Sequence, residues 1–350
     1  MIAVTILTGF LGAGKTTLLN RLLKSPALAD AAVIVNEFGD VGVDNLIVEA
    51  SGDKMIELAG GCLCCTMGAE LSETLAELVD RMHTGKIKTL SRVVIETTGL
   101  ADPAPVIRAV IGHPVLAQAY RLDGVVTVVD AVNGMKTLDE NAESVAQAAV
   151  ADRIVLAKTD LASPEGGAAL GARLRTINPV AAIADAAGLA DPALLLGGDF
   201  DALEALARAP HDHAHHDHDD HCHHGPHDEA VKSFVIVHDR PIDRLTLGLF
   251  LDLALSAHGG GLLRLKGLAW VAEDQARPVV VQAVRRALSP PYALRGWTGT
   301  PSTRLVFIGR QLDERAIRAA FAAFVNRPMA DMADRAALTD NPLAVPGVRF

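Results

Sequence analysis

The fold of this chain is decided near its start, by the stretch Gly9-Phe10-Leu11-Gly12-Ala13-Gly14-Lys15-Thr16. It matches the pattern G-x-x-x-x-G-K-S/T, in which glycines let consecutive backbone N–H groups turn inward around a phosphate chain. A short apolar run precedes it at residues 3–8, and apolar residues at helical spacing follow it at residues 17–23. The loop therefore precedes a helix N-terminus, which favours a bound anion. The sequence predicts a binding loop for a nucleoside triphosphate.

Individual residues of this loop have separate predicted tasks. Lys15 is expected to reach the β- and γ-phosphates, and the Thr16 hydroxyl is expected to bind Mg²⁺. A glycine-rich turn that arose by chance would not need the strand and helix that flank it. The residues predicted to contact the nucleotide here are Gly9, Gly12, Ala13, Gly14, Lys15, Thr16 and Thr17.

Length and composition exclude several classes of protein. The chain has 350 residues, half of them apolar, which favours two domains with separate cores. A formal net charge of −10 argues against a nucleic-acid partner. Three of the four cysteines are bunched, which is not the pattern of a disulfide framework and indicates a reducing compartment. No apolar run approaches the length of a membrane span. We therefore expect a cytoplasmic protein without a membrane partner.

Residues 1–206 predict the first domain, because apolar strands alternate there with helical stretches. This pattern is typical of an α/β domain whose mostly parallel sheet is covered on both faces. The predicted strands are residues 3–8, 32–35, 55–58, 92–96, 124–129, 154–157 and 181–184.

The rest of the chain predicts a linker, a second domain and a tail. Residues 207–229 form a histidine-rich linker that cannot bury an apolar face. It is either a metal-collecting antenna of imidazoles or a solvated linker of biased composition. Residues 230–326 predict a smaller α+β domain with helices on one face of its sheet, and Arg264 and Lys266 on the solvent side of a strand. Residues 327–350 are predicted to be an irregular tail.

Ligands of open parallel sheets bind beyond the carboxyl ends of the strands. Glu96 ends one predicted strand and Gly99 follows it, in the order E-T-T-G. We expect Glu96 to hold Mg²⁺ through water and the Gly99 N–H to sense the γ-phosphate. With Lys15 and Thr16, Glu96 completes the predicted catalytic set. Residues 36–40, Asn-Glu-Phe-Gly-Asp, follow a neighbouring strand, where a phosphate-sensing switch would lie.

The base is predicted to be read by the segment Ala157-Lys158-Thr159-Asp160. An aspartate at that point accepts hydrogen bonds from both N1–H and the 2-amino group of guanine, whereas adenine offers neither donor. The Lys158 stem is expected to lie along the purine. The segment differs from the pattern N-K-x-D at Ala157, which removes one contact that braces the loop.

A second group of residues predicts a metal site. Cys62, Cys64 and Cys65 follow two glycines, so three thiolates can converge on one soft metal ion. Glu37 and His113 are candidates for a further ligand. Each has an alternative interpretation: the cysteines as buried small apolar residues, Glu37 as a switch residue, and His113 as a capping or packing residue.

Together these motifs resemble the CobW-like metallochaperone GTPases. The resemblance rests on G-F-L-G-A-G-K-T-T-L, N-E-F-G, G-G-C-L-C-C, E-T-T-G-L-A-D-P, the K-T-D base motif and the histidine-rich linker, and it extends to about residue 325. It implies a slow GTPase that uses GTP and Mg²⁺ to load a transition metal and deliver it to a client metalloprotein. The metal is most often zinc, with cobalt in the cobalamin branch. It also assigns metal binding to Cys62, Cys64 and Cys65.

Alternative functions stay open at this point. One is a cobalt chaperone for cobalamin biosynthesis, and another is a metal-storage or metal-sensing protein in which GTP only reports state. A GTPase of ribosome or membrane traffic fits poorly with three clustered thiols and an acidic composition. The oligomeric state, including a homo-oligomer, is not decided by the sequence.

Overall fold

A computed structural model describes residues 1–35, 45–48, 55–58, 67–113, 115–189, 191, 195–196 and 231–326. Several predictions lie outside these residues: those for Glu37, Cys62, Cys64, Cys65, the linker at residues 207–229 and the tail at residues 327–350.

The first domain is built on a six-stranded parallel sheet with the strand order β2-β5-β1-β6-β7-β8. The strands of this half of the chain are β1 (Ile2–Gly9), β2 (Ala31–Val35), β3 (Asn45–Val48), β4 (Met55–Leu58), β5 (Arg92–Glu96), β6 (Tyr120–Asp130), β7 (Arg153–Ala157) and β8 (Ala182–Asp185). Every residue of β1 is buried, as expected for a central strand covered on both faces. The predicted parallel α/β sheet is confirmed.

One predicted strand belongs elsewhere. Residues 55–58 do form a strand, but β4 pairs antiparallel with β3 in a separate two-stranded sheet. Only residues 49–54 lie between β3 and β4, and a parallel neighbour needs a crossover of about a dozen residues or more. The apolar run was therefore sufficient to predict a strand but not its partner.

Helices cover both faces of the parallel sheet. Alternate residues of β5 point to opposite faces: Val93 and Ile95 pack in the core that includes α2 and α3, and Val94 packs in the core that includes α1. The helices of this domain are α1 (Lys15–Leu22), α2 (Met67–His83), α3 (Ala104–Ile111), α4 (Leu116–Ala119), α5 (Gly134–Glu140), α6 (Ala142–Val150) and α7 (Pro164–Ile177).

The second domain contains an antiparallel sheet with the strand order β12-β11-β10-β14-β9, and β13 pairs with β11. Its helices pack on one face, where Phe250, Phe307 and Phe321 lie in one core. This confirms the predicted α+β architecture. Its elements are β9 (Val231–His238), α8 (Arg244–His258), β10 (Leu262–Val271), β11 (Asp274–Val284), β12 (Ala287–Leu288), β13 (Tyr292–Ala293), β14 (Thr303–Arg310) and α9 (Glu314–Val325).

The opposite face of this sheet packs on the first domain. Leu263, Val306 and Ile308 share a hydrophobic cluster with Ala148 of α6 and Leu170 of α7. The two domains therefore have a common apolar interface in addition to their separate cores. In the described part of the chain, no helix is both long enough and apolar enough to cross a membrane.

This interface corrects the expectation for two cations. Arg264 and Lys266, predicted on the solvent side of β10, are 1% and 2% exposed. Arg264 Nη2 lies 2.8 Å and Lys266 Nζ 2.5 Å from Oδ1 of Asp152 in the first domain. Burial alone would raise the pKa of Asp152, but the two cations and the Val125 N–H hold that pKa well below its usual range. The first domain covers the strand face that would otherwise meet water.

Candidate active site

The glycine-rich loop follows β1 with the backbone that its sequence predicts. Gly14 has a φ of 102°, in the left-handed region that favours glycine, and it directly precedes α1. Gly9 passes close to β6: a Cβ at this position would lie 2.2 Å from the Val128 carbonyl oxygen. A larger residue at either position would distort the loop or its contact with the sheet.

Lys15 lies inside the loop. Its side chain is buried, and its Nζ donates to the carbonyl oxygens of Gly9 at 3.0 Å and Phe10 at 3.3 Å. A buried ammonium group held against carbonyl oxygens is a strong electrostatic partner for phosphate oxygens. Lys15 thus lies within the loop that is predicted to hold the phosphates, and its contact with them stays a prediction.

Thr16 and Glu96 meet at the edge of the sheet. The Thr16 hydroxyl donates to Oε1 of Glu96 at 2.9 Å, and Glu96 is 4% exposed. The arrangement follows from the parallel pairing of β1 with β5, in which Leu7 lies opposite Glu96. A hydroxyl and a carboxylate are hard oxygen ligands of the kind that Mg²⁺ prefers, so this pair fits the predicted ion.

The segment after Glu96 lies directly against the glycine-rich loop. A Cβ at Gly99 would lie 2.6 Å from the Leu11 backbone nitrogen, so only glycine permits this approach. The Gln147 side-chain amide, from α6, donates to the carbonyl oxygens of Gly99 at 3.2 Å and Ala101 at 3.1 Å. Sequence reasoning missed Gln147, because a polar residue within a helix gives no signal of a distant loop partner.

The same segment reaches the second domain. Asp102 accepts from the Ala104 N–H at the start of α3 and forms a 3.1 Å ion pair with Arg285. Arg285 also donates to the Gly260 carbonyl oxygen at 3.0 Å. The loop that is predicted to sense the γ-phosphate is therefore in direct contact with both domains.

The segment that is predicted to read the base also contacts the glycine-rich loop. Lys158 has a φ of 60°, and its Nζ donates to the Gly12 carbonyl oxygen and to Asp130 Oδ2, both at 2.8 Å. Asp160 lies two residues further on, exposed, in the 3₁₀ turn Thr159–Leu161. The Lys158 amine is thus tied to the loop, while Asp160 is accessible to a base.

Asp130 is a site residue that the sequence analysis missed. It accepts from the backbone N–H groups of Val132 and Asn133 as well as from Lys158. Burial acts to raise its pKa, but these hydrogen bonds outweigh it and hold the pKa below its usual value. A usable signal existed, because Asp130 ends strand β6 at the same sheet edge as Lys158.

The predicted metal ligands are described only in part. His113 is exposed, and its Nδ1 accepts a hydrogen bond from the Leu116 N–H at 3.4 Å, which matches the capping alternative. Within the described ranges, no three His, Cys, Asp or Glu side chains are grouped to hold a metal ion. The thiolate site at Cys62, Cys64 and Cys65 stays a prediction.

Family models match most of this architecture. Residues 3–185 match the CobW/HypB/UreG nucleotide-binding domain, and residues 231–325 match the cobalamin synthesis protein CobW C-terminal domain. The chain belongs to the CobW family of P-loop GTPases. The matched ranges contain the P-loop, Glu96, Gly99 and the Lys158–Asp160 segment. The boundaries of the linker and tail stay predictions.

Named CobW-family relatives are similar over nearly their whole length. The zinc chaperone YjiA of Escherichia coli (strain K12) is 37% identical over 322 residues, which cover 92% of this chain and 98% of that protein. The zinc chaperone CobW of Sinorhizobium sp is 33% identical over 364 residues, covering 93% and 97%. The crystal structure of Zn(II)-bound YjiA GTPase from E. coli has a TM-score of 0.66, with 37% identity and coverage of 92% and 98%.

Proposed function

We propose that this CobW-family GTPase is a zinc metallochaperone, which hydrolyses GTP to GDP and phosphate and delivers zinc to a client metalloprotein. The observation that carries the GTPase part is the hydrogen bond from Thr16 to Glu96 beside the buried Lys15. It brings a phosphate-binding loop and an acidic strand end to one point, as phosphoryl transfer to water requires.

The catalytic roles follow from the chemistry of these side chains. Lys15 and the backbone N–H groups at the start of α1 would bind the phosphates and stabilise the charge that develops on them. Thr16 and Glu96 would hold Mg²⁺, which neutralises phosphate charge when it is bound. The Gly99 N–H lies on the segment next to Leu11, where it would donate to the γ-phosphate.

Guanine selection is assigned to the Lys158–Asp160 segment. Asp160 would accept from the two donors of the guanine edge, and an adenine base would leave this carboxylate without those donors. Lys158 would orient Asp160 through its hold on Gly12 and Asp130. This division of roles makes Lys158 a positioning residue and Asp160 the specificity residue.

The zinc assignment rests on sequence and on relatives. Cys62, Cys64 and Cys65 supply thiolates, and Glu37 or His113 is proposed as a further ligand. Two relatives are named zinc chaperones, and a solved relative is Zn(II)-bound. These names favour zinc over cobalt as the delivered metal.

Metal content tests this proposal. Protein purified under reducing conditions with GTPγS, and exposed to equal zinc and cobalt, is expected to retain one tightly bound zinc ion. The Cys64→Ser variant should lose it, whereas the matched Cys222→Ser variant, outside the C-x-C-C motif, should keep it. Retention of cobalt instead would support the cobalt chaperone, and metal bound equally well by the Cys64→Ser variant would overturn the thiolate site.

A further inference from the structure

The second domain contributes one arginine to the segment that is proposed to sense the γ-phosphate. Arg285 Nη2 lies 3.1 Å from Oδ2 of Asp102, which follows Gly99 closely in sequence. The other terminal guanidinium nitrogen, Nη1, donates to the Gly260 carbonyl oxygen at 3.0 Å. The guanidinium therefore joins this segment of the first domain to the backbone of the second domain.

The backbone of Arg285 is held in an unfavourable conformation. This arginine is the first residue of the two-residue turn between β11 and β12, where Val284 pairs with Ala287. Its φ is 55°, in the left-handed region where glycine, asparagine and aspartate are the usual residues of such turns. A backbone conformation of this kind is costly for an arginine, and such outliers cluster where a residue has a functional task. The side chain at this position therefore needs a reason other than the turn itself.

Packing and hydrogen bonding fix both ends of this ion pair. On the side of the second domain, Val284 lies in the same hydrophobic cluster as Ile107 of α3. On the side of the first domain, Asp102 Oδ1 accepts from the Ala104 N–H at 2.9 Å, while Oδ2 accepts from Arg285. Because other contacts already order both side chains, less conformational entropy opposes the pair than in a typical surface ion pair.

The first domain holds the same segment from its other side. The Gln147 side-chain amide donates to the carbonyl oxygens of Gly99 at 3.2 Å and Ala101 at 3.1 Å. Gly99 also lies so close to the P-loop that a Cβ there would be 2.6 Å from the Leu11 backbone nitrogen. The position of the segment therefore depends on Gln147 of the first domain and, at Asp102, on the second domain.

We propose that Arg285 is a positioning residue for GTP hydrolysis, which holds Asp102 so that the Gly99 N–H is kept in place for the γ-phosphate. Arg285 acts through the segment and needs no contact with the nucleotide. The second domain thereby takes part in the GTPase reaction of the first. By linkage, a γ-phosphate bound at Gly99 strengthens the contact between Asp102 and Arg285 in return. This inference rests on the proposed role of Gly99.

Arg285→Asn in the full chain tests this role. Asparagine tolerates the left-handed backbone, so the denaturation midpoint should not fall. By titration calorimetry, affinity for GTPγS should fall about fivefold, the most that one part-exposed ion pair usually contributes, while affinity for GDP should not change. The kcat for GTP hydrolysis, measured by phosphate release, should fall by at least the same factor. Arg286→Gln, at the exposed second position of the turn, is the matched control and should change neither quantity.

A double-variant cycle tests whether Arg285 acts through Asp102. Asp102→Asn keeps an oxygen for the Ala104 N–H but removes the charge that Arg285 contacts. It should reproduce the loss of GTPγS affinity, and the double variant Asp102→Asn/Arg285→Asn should lose no more than either single variant. Additive losses would overturn the proposal. So would equal weakening of GTPγS and GDP, because a merely structural role would not distinguish the two nucleotides.

Gly99→Ala separates this inference from the proposed function on which it rests. The added Cβ would push the segment away from Leu11, so this variant should lose its preference for GTPγS over GDP. A normal preference in Gly99→Ala would overturn both the sensing role of Gly99 and the role of Arg285. A lost preference in Gly99→Ala, together with normal GTPγS affinity and kcat in Arg285→Asn, would overturn the role of Arg285 alone.

Discussion

The Thr16 hydroxyl lies 2.9 Å from Oε1 of Glu96 and joins the start of α1 to the end of β5. These residues are far apart in sequence and meet because β1 and β5 are parallel neighbours that end at one edge of the sheet. The carboxylate is buried, so water screens it little and it interacts strongly with a cation bound beside the P-loop.

Glu96→Gln tests the importance of that charge. The amide oxygen can still accept from Thr16, so the fold and the melting temperature should change little, but the ligand charge for Mg²⁺ is lost. We expect the kcat for GTP hydrolysis to fall about 100-fold or more, measured by phosphate release. Glu143→Gln, on α6 and exposed, is the matched control. A Glu96→Gln enzyme with normal kcat would remove Glu96 from the catalytic set.

Asp160→Asn tests the choice of base. The change turns one acceptor toward guanine into a donor, so GTP binding should weaken by about 2 kcal/mol, roughly 30-fold. Xanthine carries an oxygen where guanine has its amino group, so XTP should lose less affinity or gain some. Glu165→Gln, exposed at the start of α7, should leave both nucleotides unaffected. Equal binding of ATP and GTP by the unmodified chain would contradict the guanine assignment.

Asp152→Asn tests the buried ionic cluster between the domains. Removing its charge leaves Arg264 and Lys266 facing each other, and should lower the free energy of unfolding by roughly 3–5 kcal/mol at neutral pH. Adding Lys266→Met should restore part of that loss. Asp274→Asn, at an exposed ion pair with Arg277, should not shift the denaturation midpoint.

The loss of stability caused by Asp152→Asn should depend on pH in a definite direction. The folded-state pKa of Asp152 lies below its usual value, so its ionised form stabilises the fold above about pH 4. That contribution is lost as pH falls through the lower, folded-state pKa. Urea denaturation should therefore show that the difference in free energy of unfolding between the parent chain and Asp152→Asn becomes smaller below about pH 4. A difference in free energy of unfolding that is constant with pH would mean that the variant loses stability through packing rather than through charge.

The residues predicted to bind the nucleotide do lie at one edge of the sheet, because parallel strands impose that geometry. Glu96 ends strand β5, whereas Lys15, Gly99 and Lys158 follow strand ends, and the rule for open sheets brings such residues together. The spacing of apolar residues also predicted the architecture of both domains, because this spacing differs between strands and helices.

Other features depend on packing that a strand pattern does not contain. Alternation along β10 shows that Arg264 and Lys266 share a face, but not that the first domain covers it. The apolar run at residues 55–58 predicts a strand without naming its partner. Gln147 contacts a loop 46 residues away through a helix, a relationship that only the assembled fold reveals.

We propose that nucleotide state controls zinc binding at the thiolate site, and a competition titration of zinc with a chromophoric chelator tests this coupling most directly. The full chain is titrated under reducing conditions with GTPγS, with GDP and without nucleotide. We predict zinc affinity at least about tenfold higher with GTPγS than with GDP, and the same factor when GTPγS affinity is measured with and without zinc. Identical zinc affinity in all three states would contradict the account.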